Sequence, residues 1–233
     1  MFSLFRKRKP KKKVTLEHPS PHVRAALKAV DREIMIFRRH QKGLAKAETL
    51  AGQSHLKLHL GCGPVHKEGW LNVDLFGEPD LLLDLREPLP LADGSCQVIY
   101  SEHFFEHVDY PAGAQRILAD CLRLLEPGGT FSVGVPDTQW PLEEYARIRQ
   151  EGYFTQAKQV WHPAWCQTEL DHINYHFRQD GQHLYAYDCQ TLCRVLAEAG
   201  FVSARRRPFD PSLDSTKREL GTLYVEANKP ARE

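Results

Sequence analysis

Leu58-His59-Leu60 reads as a buried strand that runs directly into Gly61-Cys62-Gly63. Glycines at such a turn let the backbone bend sharply and approach a ligand closely, because no Cβ intervenes. Asp74 falls at the tail of the next apolar run and Asp84 at the tail of the one after it. In a parallel sheet these three tips emerge along one carboxyl edge, which is where open α/β sheets bind ligands. A carboxylate at Asp74 could accept both hydroxyl hydrogens of a ribose. Turn glycines and solvated aspartates are each common singly, and it is the ordered set that points to a nucleoside.

The set does not suit a dinucleotide. That fingerprint asks for a third glycine and for an acid about 20 residues later. His66 stands at the third glycine position, and Asp74 comes early. The segment 64–69 is only a loop, so the helix N-terminus that would cradle a pyrophosphate is missing. A nucleoside ligand without phosphates fits better.

These residues need elements to hold them. Strand signals occur at 55–60, 70–75, 80–85, 96–101, 130–135, 201–208 and 222–228. Helix signals occur at 111–125, closed by Glu126-Pro127-Gly128-Gly129, at 141–150, and after Asp188 as cap, ending at Gly200. Alternation of strand and helix predicts an α/β sheet covered on both sides. Residues 151–187 read as an irregular stretch rich in aromatics and histidine. Connections of that length act as lids or binding loops, or else cover the sheet as a satellite apolar cluster. Residues 21–50 predict a helix with Ser20 as cap and Pro21 in its first turn. Its apolar stripe, Val23, Leu27, Val30, Ile34, Phe37 and Leu44, is expected to pack on the main domain. A helix-mediated homodimer or partner contact is the second reading.

Of the 233 residues, 42% are hydrophobic and 26% charged, which excludes wholesale disorder. The net charge of +1 conceals an asymmetry. Residues 1–13 carry seven Lys or Arg and no acid, leaving 24 basic against 30 acidic residues in the rest. An acidic body makes nucleic acid an unfavoured partner. The tail 1–20 is expected to be solvated, or to meet anionic membrane lipid with Phe2, Leu4 and Phe5 inserted. The six cysteines show no C-x-x-C pair and no zinc-like spacing, so reduced thiols in a cytoplasmic protein are expected. No apolar run follows the N-terminal charges, and a secretory signal is not expected.

The segments LKLHLGCGP, GWLNVDL, DLREPLPLADGSCQVIYSEHFFEHV, LEPGGTFSVGVPD and HLYAYDCQTLCRVLAEAGF resemble a class I, seven-stranded S-adenosylmethionine-dependent methyltransferase. More narrowly, the chain is similar to predicted bacterial methyltransferases found around cell-surface glycan genes. The resemblance covers roughly residues 55–228. It implies a Rossmann-like sandwich over 55–230, with a mostly parallel sheet, an antiparallel last strand and the N-terminal helix added, and 151–187 on the acceptor side. It also implies S-adenosyl-L-methionine as cofactor. Gly61, Cys62 and Gly63 would lie against its methionine end, Asp74 would hold the ribose, and Asp84 with the Leu85 backbone would address the adenine. Ser101 would meet the methionyl amine or sulfonium side, and Glu102 and His103 would enter the acceptor pocket. His59 replaces the acid usual before the loop, and Val65 the usual third glycine.

Methyl transfer to a hydroxyl needs alignment and a group to take the proton. A histidine suits that role because its ordinary pKa lies near neutrality. His103, directly after the fourth strand, is the first candidate, and His183 is the second, as base or substrate contact. The alternative for His103 is that it only shapes the pocket. Glu106 and His107 are expected to stabilise the loop and the following helix. His103-Phe104-Phe105-Glu106-His107 loosely resembles the motif of manganese-dependent methyltransferases that act on small-RNA 3′ ends. Glu-His after strand four is common in metal-free relatives, however, and no metal is expected. Aromatic faces in 151–187 stack well on sugar rings, so a small-molecule or glycan acceptor, methylated on a sugar oxygen, is the expected substrate. An RNA methyltransferase and a non-catalytic scaffold of the same fold are the alternatives.

Overall fold

The computed structural model describes residues 19–148 and 152–232. The basic run 1–13, and with it the expected membrane contact, lies outside the described residues.

Seven strands form one sheet: β1 (Leu56–Leu60), β2 (Leu71–Asp74), β3 (Leu81–Leu82), β4 (Cys96–Glu102), β5 (Leu125–Pro136), β6 (Val202–Arg206) and β7 (Thr222–Asn228). Their order across the sheet is β3-β2-β1-β4-β5-β7-β6. β1 to β5 pair in parallel, while β7 runs antiparallel between β5 and β6. This is the Rossmann-like sandwich with an antiparallel last strand. The β3 strand is shorter than the apolar run predicts, because after Leu82 the chain turns to place Leu83 and Leu85 in the core.

The helices follow from their apolar spacing. On α2 (Ala112–Leu124), Ile117, Leu118, Cys121 and Leu124 are buried. On α6 (Cys189–Glu198), Asp188 caps the helix by accepting from the Thr191 N–H at 2.7 Å, and Leu192, Val195 and Leu196 face the core. Between them lie α3 (Gln139–Tyr145), α4 (Tyr153–Val160) and α5 (Glu169–Arg178). The 151–187 stretch is therefore largely helical rather than irregular. Its helices are short, and they close around a separate small apolar cluster of Trp140, Tyr153, Phe154 and Ala157.

Helix α1 (Pro21–Ala47) begins as expected, with Ser20 Oγ accepting from the Val23 N–H and Pro21 at its first position. Its packing differs from expectation. Val23, Leu27, Val30, Ile34 and Phe37 are exposed, and only the C-terminal half docks, through Ile36, His40, Gly43 and Ala47. A Cβ on Gly43 would stand 2.1 Å from the Leu82 carbonyl oxygen, so glycine is what lets α1 lie directly on β3. The predicted stripe and the buried face sit on different sides of the helix. Docking selected the side on which Gly43 permits close approach, not the most apolar one. Among the described residues no helix is long and apolar enough to cross a membrane.

Candidate active site

Parallel register levels the strand tips. Leu60 lies beside Val73 and Ser101, Ser101 beside Val133, and Asp74 beside Leu82. Gly61, Asp74 and His103 thus leave the same edge of the sheet.

The first two tips are joined directly. Asp74 Oδ2 accepts the Gly63 N–H at 2.8 Å, and Oδ1 accepts the Phe76 N–H at 2.9 Å. Each oxygen retains a further lone pair. Gly61 and Gly63 both have positive φ, 63° and 51°, but their surroundings differ. A Cβ on Gly61 would strike the Phe104 ring at 2.5 Å, whereas one on Gly63 would meet nothing within 4 Å. The close approach at Gly61 is to the protein's own aromatic ring, and the open face of the turn belongs to Gly63. Cys62 is buried, and burial followed by the Asp74 charge pushes its thiol up to about 12, so it is not a nucleophile.

Asp84 sits differently from Asp74. It is buried, and both its oxygens are clamped by the Arg86 guanidinium at 2.7–3.0 Å. Arg86 in turn reaches Glu33 of α1 at 2.8 Å, and His40 Nδ1 of α1 accepts the Asp84 N–H at 3.1 Å. Burial raises the Asp84 carboxyl, and Arg86 lowers it by more, leaving it below the usual carboxylate range. The free carboxylate expected at this position is an ion-paired one. Leu85 beside it is buried in the main core. The Ser101 hydroxyl at the β4 tip is fully buried and has no hydrogen-bond partner among the described residues. His59 faces Asn72 Oδ1 at 3.2 Å, and burial with the Lys67 charge pushes it down to about 4, so it is a neutral core residue.

On the other side of the β4 tip lies a cavity of about 560 Å³, walled by β4, β5, α4, α5 and the approach to β7. His103, Tyr153, Trp161, His162, Tyr175, His176 and His183 line it, with Lys217 and Arg218, and among the described residues no Asp or Glu does. His103 has φ 53°, a left-handed conformation uncommon for a residue with a Cβ, fixed by its N–H donating to Gly134 O at 2.8 Å. Its Nδ1 stands 3.3 Å from Glu106 Oε1 and its Nε2 2.8 Å from Thr222 Oγ1. The Glu106 contact is a close approach of carboxylate to imidazole rather than an aligned hydrogen bond, since neither Glu106 oxygen has a well-directed donor among the described residues. Burial raises the Glu106 carboxyl, but His103 first and then His107 outweigh it, and the group is held below the carboxylate range. An ionised Glu106 can only accept, so Nδ1 is the nitrogen that can donate toward the carboxylate, while the Thr222 hydroxyl beside Nε2 itself donates to Arg218 O. His183 Nδ1 donates to His176 O at 2.7 Å, which leaves Nε2 as its acceptor, and burial keeps it below the usual histidine range.

Glu102 does not enter this cavity. It is buried, accepting from Tyr224 Oη at 3.1 Å and from the Ser215 N–H at 3.2 Å, with Arg218 Nη1 3.7 Å from Oε2. Glu106, assigned to loop stability from sequence, turns out to face His103. Thr222, Lys217 and Arg218 were not expected at all. They lie more than a hundred residues from His103, and no local pattern marks them.

A family model described as a methyltransferase domain matches residues 13–204. The chain belongs to this methyltransferase family. The sheet order and the matched span place it in the class I S-adenosylmethionine-dependent superfamily. A search of the curated proteins found no match. Among solved structures, the domain is similar to a Methanosarcina mazei SAM-dependent methyltransferase, at 16% identity and TM-score 0.48, over 79% of this chain and 97% of that one. It is similar to Burkholderia thailandensis 1,6-didemethyltoxoflavin-N1-methyltransferase at 16% identity and TM-score 0.45, over 93% of each chain. It is also similar to a putative Haloferax volcanii methyltransferase crystallised with the Trm112 activator, at 17% identity and TM-score 0.45, over 88% and 96%.

Proposed function

We propose that the chain transfers a methyl group from S-adenosylmethionine to a small-molecule or glycan acceptor, on an oxygen of a sugar. The residues at the strand tips fit the cofactor. Gly63 offers an open cradle beside the Asp74 carboxylate, and the Ser101 hydroxyl is an orphaned polar group at the next tip. Asp74 would hold the ribose, Gly61, Cys62 and Gly63 the methionine end, and Ser101 the methionyl or sulfonium side. Leu85 would flank the adenine, with Asp84 available to its amine only if Arg86 yields. When bound, the cofactor supplies an activated methyl with its leaving group in place, so the chain must align the acceptor and remove its proton.

The observation that carries the acceptor reading is the cavity lining. Trp161 and Tyr175 supply faces for a sugar ring, imidazoles supply hydroxyl partners, and among the described lining residues there is no Asp or Glu to attract an amine. Lys217 and Arg218 favour a neutral or anionic acceptor for the same reason. His103 takes the acceptor proton through Nε2 when a substrate hydroxyl replaces Thr222 there, with the ring proton held on Nδ1 toward Glu106, which steadies the imidazolium that forms. His183 Nε2 accepts from a neighbouring substrate hydroxyl. The charge of residues 1–13, opposite in sign to the rest, supports peripheral attachment to anionic lipid at the inner membrane face.

Incubation of methyl-labelled cofactor with fractionated host extract tests this reading. Label is expected in the sugar or glycan fraction. Label confined to RNA, protein or amine fractions would refute the acceptor class while leaving cofactor binding intact.

A further inference from the structure

A second group of side chains converges in the α4–α5 segment, apart from the His103-to-His107 motif. His162 follows the end of α4, Cys166 lies in the connection and His172 sits on α5. One ligand atom from each lies within 4.8 Å of the others. All three residues are buried, at 9%, 1% and 3% exposure. His162 Nδ1 and His172 Nδ1 approach to 2.7 Å with their rings stacked at 20°. We propose that His162, Cys166 and His172 form a binding site for a divalent metal ion of the zinc class.

The donor set decides the class of ion. Two imidazoles and a thiolate suit zinc, whereas magnesium and calcium prefer oxygen. Zinc–ligand bonds of about 2.0–2.3 Å in a tetrahedron ask the two nitrogens to part by about 0.6 Å and the sulfur to close in. Side-chain rotation in the connection can supply both movements. The outer partners are in place. His162 Nε2, the nitrogen facing away from the cluster, lies 3.4 Å from Tyr153 Oη, which is 2.9 Å from His176 Nδ1. Partners of this kind fix the tautomer of a metal-binding histidine. Local hydrogen bonds set the other two ligands. The Cys166 N–H donates to Pro163 O at 3.0 Å, and Thr168 and Asp171 form a reciprocal cap that holds the connection onto the start of α5. The segment also has a use for a brace, because its own apolar cluster has four buried residues among those described.

Binding replaces the Cys166 Sγ–H bond with a metal–thiolate bond and releases the proton to solvent, while both imidazoles bind neutral. Three protein ligands leave one position of a tetrahedral ion for water or another oxygen ligand. His162 also lines the acceptor cavity, so the ion would stand in its wall.

The test uses the full chain, purified without a histidine tag, loaded with zinc and desalted, with metal measured by mass spectrometry. One zinc per chain is expected. Cobalt loaded in its place should show a thiolate-to-cobalt charge-transfer band, and zinc should protect Cys166 from alkylation. Cys166→Ser and His172→Gln should lose the ion. Glu106→Gln, which alters the other clustered group of Glu106, His107 and His183, should keep it. The proposal is overturned if loaded protein retains no zinc, or if Cys166→Ser and His172→Gln hold it as the parent does. It is equally overturned if Glu106→Gln alone removes the ion. Should the ligand variants fail to fold, the cobalt spectrum of the parent chain decides: no thiolate band means no such site.

Discussion

Replacing Asp74 probes the cofactor side most sharply. Its carboxylate accepts from Gly63 N–H at 2.8 Å and Phe76 N–H at 2.9 Å, and each oxygen keeps a lone pair for a ribose hydroxyl. Asp74→Ala would remove the two charge-assisted bonds proposed to the ribose, each worth about 1.5–3 kcal/mol. The residue is half-buried, and solvent weakens such bonds. The lower end applies, about 3 kcal/mol in all, or roughly 100-fold in Kd. Asp74→Asn keeps one acceptor oxygen and should lose about half of that, roughly tenfold. The assay is calorimetric titration of cofactor-free protein with S-adenosylhomocysteine, with circular dichroism and thermal melting to confirm the fold of each variant. A folded Asp74→Ala protein that binds within about threefold of the parent would refute the joint grip of the first two strand tips.

Glu106→Gln should lower kcat by roughly 10- to 100-fold, because the His103 imidazolium loses its carboxylate, while S-adenosylhomocysteine affinity stays at the parent value. Glu106 is held below the carboxylate range in the fold. Its contribution to stability is therefore complete above that range and is lost as pH falls below it, through the lowered folded value, and melting of Glu106→Gln should be flatter there. His59 titrates at about 4 in the fold against 6.5 ordinarily. Stability should be full above 6.5 and fall between 6.5 and 4, by up to about 1.4 kcal/mol per pH unit, a slope that His59→Gln removes in denaturant titrations. Gly43→Val drives a side chain into the Leu82 carbonyl. It should cost about 3 kcal/mol of stability and weaken cofactor binding by shifting the α1 residues that hold Arg86 and Asp84, as thermal melting and calorimetry will show.

Much of the edge is legible in the sequence. The Gly61–Gly63 turn, Asp74 and the β4 exit to His103 are local patterns, each an apolar run followed by a residue that the end of a strand exposes. Parallel register then aligns them without further information. The histidine–cysteine group was invisible in cysteine spacing, because its partners are histidines on two elements. The length of 151–187 was legible, but its short helices were obscured by aromatic density.

The sequence by itself determined the alternation of strand and helix, the order of the site residues along the chain and the charge division between tail and body. Periodicity and turn chemistry act over a few residues, and a single chain displays them directly. Only the tertiary structure decided which side of α1 is buried, that Asp84 is clamped by Arg86 and Glu33, and that Glu106 and Thr222 bracket His103. Those outcomes depend on steric fit and on charges brought together from distant segments, and both come into being only when the sheet closes over its helices.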